Sequence, residues 1–133
     1  WVDLSANQPL PPRAVVGGYE RGAPLFICHA EYNNGMHPGK VVGSNCNISW
    51  GGREIPMARY QVLVSQTPPH WLNANGNIPP VAIKGGHENG QPLFICQADY
   101  AGGVHPGKLV GNVCDIGYGG SEISLPNYRL LSF

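Results

Sequence analysis

Apolar and polar residues alternate along much of this 133-residue chain. In PLFICHAEY, which starts at Pro24, one face carries Phe26, Cys28, Ala30 and Tyr32. The other carries Leu25, Ile27, His29 and Glu31. A period of two is the spacing of a β-strand, and the Phe/Cys/Ala/Tyr face is expected to look into the core. Cys46, Ile48 and Trp50 alternate in the same way in CNISW, which points both cysteines inward and assigns Trp50 to core packing. RYQVLV, residues 59–64, reads as a closing strand. Asn89-Gly90 is a two-residue hairpin signal, with Arg21-Gly22 as its counterpart. Pro38-Gly39 and Pro106-Gly107 suit type II turns, which would leave Lys40 and Lys108 at strand ends. No stretch sustains a helical period, so the expected fold class is all-β.

The pattern occurs twice. With Cys28 placed over Cys96, an offset of 68, GGYERGAPLFICHAEY lies over GGHENGQPLFICQADY. HPGKVVG lies over HPGKLVG, and CNISWGGREI over CDIGYGGSEI. The register runs without a gap from Pro11 to Val64, and about half the positions are identical. Trp1 and Trp71 open the two copies with a two-residue shift. The chain therefore divides into a first repeat (1–64), a linker (65–70) and a second repeat (71–133). Two like units with matching edges are expected to pack about a pseudo-twofold axis into one compact, sandwich-like domain.

Composition narrows the chemistry. Eight Lys and Arg balance eight Asp and Glu, and only 12% of residues are charged. Nucleic-acid binding needs a cationic excess that is missing here. No apolar run approaches the length of a membrane span, about 20 residues, so membrane insertion by this domain is not expected. No signal peptide is visible in the sequence, and secreted and cytoplasmic locations both stay open. Cys28, Cys46, Cys96 and Cys114 allow disulfides or buried thiols, and the sequence leaves that choice open. Cys28, His37 and Cys46 recur as Cys96, His105 and Cys114, but without the close cysteine spacing of a zinc knuckle. No metal or cofactor is expected.

Because charges are few, their placement can be read. Glu20 matches Glu88, Glu54 matches Glu122, and Lys40 matches Lys108. A carboxylate accepts bonds from two vicinal hydroxyls and an ammonium donates three, so such a pair suits a sugar diol. From spacing alone, a surface salt bridge between Glu20 and Lys40 is the simpler reading. Glu54 and Glu122 follow Gly-Gly pairs, where capping of local N–H groups competes with ligand contact. His37 and His105 precede the Pro-Gly pairs and are candidates of second rank with them. Trp50 and Tyr118, and Tyr19 and His87, are matched aromatic positions.

Catalysis finds less support. Glu20 and Glu54 resemble a pair flanking a glycosidic bond, and Cys28 with His37 a nucleophile and base. The cysteine looks inward, however, and nucleophiles need access. No serine-hydrolase, zinc-protease or phosphate-loop motif occurs, so no catalytic residue is assigned.

The linked strings GGYERGAPLFICHAEY, HPGKVVG and CNISWGGREI, with their second copies, resemble the DM-nine repeat family over almost the whole chain. The resemblance implies a calcium-independent lectin for mannose and mannose-rich glycans, with one site per repeat and often a homodimer. It also implies a likeness to animal innate-immunity recognition proteins, which occur alone or beside pore-forming modules. It implies that Glu20 and Lys40, then Glu88 and Lys108, hold the sugar, against the salt-bridge reading. Asp often stands in the family where Glu20 and Glu88 stand here. A site combining both repeats is also within the pattern. The alternative is a non-enzymatic protein-interaction or accessory module of a pore-forming protein.

Overall fold

The computed structural model describes residues 1–74 and 76–133, and strands dominate it. The first repeat supplies β1 (Val2–Ser5), β2 (Val16–Glu20), β3 (Ala23–Tyr32), β4 (Gly35–Val42), β5 (Asn45–Trp50), β6 (Arg53–Met57) and β7 (Arg59–Val62). The second supplies β8 (His70–Asn73), β9 (Lys84–Glu88), β10 (Gln91–Tyr100), β11 (Gly103–Val110), β12 (Val113–Tyr118), β13 (Ser121–Leu125) and β14 (Arg129–Ser132). The all-β expectation holds. The hairpin turns fall where the dipeptides place them: Arg21, Gly22, Asn89 and Gly90 all have positive φ.

The two repeats are interlocked rather than merely adjacent. β3 pairs with β2 and β4, and β10 pairs with β9 and β11. β2 then crosses to β11 through Tyr19 and Val104, and β9 crosses to β4 through His87 and Met36. These six pairings close a barrel-like ring, and the two crossings are equivalent positions of the repeat. Gly18 and Gly86 permit them. A Cβ on Gly18 would lie 1.9 Å from the Val104 carbonyl oxygen, and one on Gly86 would lie 1.9 Å from that of Met36. The far hairpins also meet, since the Glu54 N–H donates to Gly120 O and the Glu122 N–H to Gly52 O, each at 3.0 Å.

Each repeat has its own core. Cys28, Ala30, Cys46, Ile48 and Val62 cluster in the first, and Cys96, Ala98, Cys114, Ile116 and Leu130 in the second. Phe26 and Tyr32 pack against the first cluster, so the expected inward face is correct. The opposite face of β3 is covered too. Ile27 joins Val15, Leu63, Ile95 and Leu131 in a third cluster shared by both repeats. Full burial of each isoleucine contributes about 2 kcal/mol. The open choice for the cysteines resolves into two disulfides, Cys28–Cys46 and Cys96–Cys114. Their sulfurs are thereby removed from any zinc set.

The expectation of turns at Pro38-Gly39 and Pro106-Gly107 is wrong. Both dipeptides lie inside strands, β4 and β11, and both are buried. The reason is a change of partner along one strand edge. β4 bonds to β9 at Met36 and to β5 from Lys40 onward, with Pro38 between them. A proline has no N–H to donate, so it fits the point where one ladder ends and the next begins. Gly39 then lets β5 approach, since a Cβ there would sit 2.2 Å from Asn47 O. Lys40 and Lys108 are consequently mid-strand residues, not strand-end ones.

Candidate functional site

Lys40 is 2% exposed, and so is Lys108. Each ammonium is met by a histidine of the opposite repeat: Lys40 Nζ lies 3.0 Å from His105 Nδ1, and Lys108 Nζ lies 3.0 Å from His37 Nδ1. The second ring nitrogen fixes the proton. His105 Nε2 is 3.1 Å from Tyr100 O, and His37 Nε2 is 3.1 Å from Tyr32 O. A carbonyl can only accept, so Nε2 donates and Nδ1 is left to accept from the ammonium. Burial, and then the neighbouring lysine, hold both histidines below the usual imidazole value. Burial also lowers Lys40 and Lys108. Glu54 and Glu20 oppose this at Lys40, and Glu122, Glu88 and Asp115 oppose it at Lys108.

Around Lys40 the chain leaves a hollow of about 280 Å³. Its lining includes Glu20, Lys40, Asn47 and Glu54 of the first repeat and Tyr118 of the second. That volume is near the lower end of small-molecule sites, about 300–1,000 Å³. Glu20 stands at the end of β2, next to the Arg21-Gly22 turn. Glu54 is held at both oxygens: Gly120 N donates to Oε1 at 3.1 Å and Asn47 Nδ2 to Oε2 at 3.3 Å. Lys40 Nζ is 5.7 Å from the centre of the Tyr118 ring, within cation–π range. Among the described residues no carboxylate lies within 4.0 Å of either lysine. The surface salt bridge suggested by spacing alone does not form.

In the second repeat Glu122, Glu88 and Asp115 are the charged neighbours of Lys108, with Asp115 at the repeat position of Asn47 and Trp50 at that of Tyr118. Trp50 Nε1 donates to Glu88 Oε2 at 2.9 Å. Lys108 Nζ also donates to Ser49 O at 2.6 Å. Asp115 accepts from Ser124 Oγ at 2.6 Å, and burial raises its carboxyl above the usual value. Glu122 Oε1 accepts from Gly52 N at 3.1 Å, mirroring Glu54.

The structure thus brings Glu20, Lys40 and Glu54 to one hollow. It places His37 and His105 differently from their second-rank reading as sugar contacts. Both are fully buried, and they hold the lysines. Glu54 and Glu122 do cap N–H groups, but those of the opposite repeat. The assignment of Trp50 to core packing needs correction. It packs edge-on against Tyr32, but it is only partly buried, and its N–H bonds to the candidate acid Glu88. The crossing of Tyr118 and Trp50 into the other repeat's site was not read from the sequence, nor were Asn47 and Asp115 as members of it. Tyr19, 56% exposed, stays outside the hollow. Larger hollows, of about 620, 590, 550 and 440 Å³, are lined by none of Glu20, Glu54, Glu88, Glu122, Lys40 and Lys108.

A family model described as DM9 repeat matches residues 1–45 and 20–125. No curated protein matches the chain. Seven chains of known structure do. One is the nematode sperm cell motility protein MFP2B, 15% identical, with a TM-score of 0.73 over 97% of this chain. The chain spans 44% of that protein, and the likeness is one of fold.

Proposed function

The chain belongs to the DM9 repeat family, and from that premise we propose that it is a lectin for mannose-type glycans with one calcium-independent site per repeat. Family and fold together suggest a carbohydrate-binding type of domain. The observation that carries the finer reading is the buried Lys40 ammonium at a hollow that Glu20 also lines, without an ion pair between them. An ammonium donates three bonds and His105 takes one, so two remain for ring hydroxyls. Glu20 accepts from the neighbouring hydroxyl. The lysine supplies the positive charge for which other sugar sites use a metal ion, which is why no calcium is invoked.

The same geometry favours binding over catalysis. Both oxygens of Glu54 are engaged by N–H donors, which leaves it poorly placed to trade protons with a glycosidic oxygen. Single-site contacts with a monosaccharide are small, so useful strength comes from presenting two sites at once. A homodimer would double that number. A fold alone does not choose a function, and a protein-interaction module remains the competing reading. A glycan array run with and without a chelator separates them. Mannose-terminated glycans should bind in both conditions. An array without sugar signal, together with capture of a protein partner, rejects the lectin reading.

A further inference from the structure

The two sites are related by the repeat but differ in what already fills their polar groups. In the first, the phenol of Tyr118 makes no hydrogen bond to Glu20 among the described residues, and Lys40 uses one donor on His105. In the second, the indole of Trp50 donates to Glu88, and Lys108 uses two donors, on His37 and on Ser49 O. Asp115 adds a buried carboxyl where the first site has the neutral Asn47. Ser49 stands where the second repeat has Gly117, and its buried Oγ has no hydrogen-bond partner among the described residues.

Resting on the lectin reading above, we propose that Trp50 acts as an internal stand-in for a sugar hydroxyl and makes the second site the weaker of the two. A vicinal diol that uses both carboxylate oxygens must compete with the indole N–H at Glu88 Oε2, so full engagement of Glu88 requires the Trp50 ring to give way. Glu20 needs no such exchange. The ligand class is the same in both sites, a vicinal diol on a pyranose ring. What differs is a preformed first site against a self-occupied second one. Trp50 is therefore a specificity-determining residue that acts across the repeat boundary: it lies on β5 of the first repeat and governs the acid on β9 of the second.

The test uses methyl α-mannoside and single-site proteins. Lys108→Met leaves the first site and Lys40→Met leaves the second. If either loses its thermal transition, Glu88→Gln and Glu20→Gln replace them. Calorimetry should find the first-site protein binding roughly tenfold tighter or more, the effect of one charge-assisted hydrogen bond. Adding Trp50→Phe to the second-site protein should recover most of that difference. The Trp50 indole N–H resonance should shift only when the second site fills. Equal affinities, or a Trp50→Phe change that leaves the second site unchanged or weaker, overturn this asymmetry while sparing the lectin reading. No heat in the wild type and in both single-site proteins overturns both.

Discussion

The Lys40 ammonium lies 3.0 Å from Nδ1 of His105, a residue 65 positions away in the other repeat. Lys108 and His37 repeat the arrangement in reverse. Each site is therefore completed by the repeat that does not carry its acid and lysine. His105→Ala should weaken sugar binding at the Glu20 site while leaving the Glu88 site nearly intact. The loss of a buried, charge-assisted bond should also cost about 2 kcal/mol of stability. Calorimetry on single-site proteins and denaturant unfolding measure the two effects. Weakening of the Glu88 site alone would contradict the crossed assignment.

The same contacts predict an acid limb. His37 and His105 have folded pKa values below the usual 6.5, so they bind fewer protons folded than unfolded. Their contribution is whole above about pH 6.5 and is lost as pH falls from there through the folded values. Asp115, with a raised pKa, works in the opposite sense. Its burial penalty is relieved as acid protonates it, in a window that starts above 3.8. The melting temperature should hold steady near neutrality and fall once the pH drops below about 6.5. Sugar binding should fall with it, because an imidazolium cannot accept the lysine's bond. The acidic neighbours, Glu88 and Glu122 for His37 and Glu20 and Glu54 for His105, moderate the fall without reversing it. A melting temperature that rises through this range would contradict the account.

Each disulfide spans 18 residues of sequence. Closing a loop of that size stabilises by about 3 kcal/mol. Replacing Cys28 and Cys46 together by alanine should lower the unfolding free energy by about that amount. The equivalent change in the second repeat should do the same. Denaturant titration with and without reductant checks both. Reduction should affect the wild type and spare a variant lacking all four cysteines.

Gly18→Ala and Gly86→Ala should each be severe, because the added carbon meets a backbone carbonyl that cannot swing aside. A cost of about 3 kcal/mol is expected. Gly22→Ala, where an added carbon meets open space but φ is positive, should cost about 1 kcal/mol. Thermal unfolding ranks them, and a larger loss at Gly22 would argue against the interlock.

Much of this was legible in the residues because it is local. Alternation in PLFICHAEY marked β3 and its inward face, and Asn89-Gly90 marked a hairpin. The duplication showed which acids and lysines to compare. What escaped is non-local. Pro38-Gly39 looks like a turn because dipeptide rules cannot see a strand changing partners in mid-course. Lys40 looked exposed because nothing near it in sequence shows that His105 receives its ammonium. Trp50 shares a face with Ile48, and alternation could not show that its N–H reaches Glu88 across the repeat boundary.

The central claim is that buried Lys40 and Lys108 donate to a sugar that Glu20 and Glu88 accept. Titration of methyl α-mannoside into wild type and into a Lys40→Met/Lys108→Met variant, both checked for an intact thermal transition, tests it most directly. The account predicts heat from the wild type, unaffected by chelator, and none from the variant. Equal heat from both proteins, or none from the wild type, would contradict it.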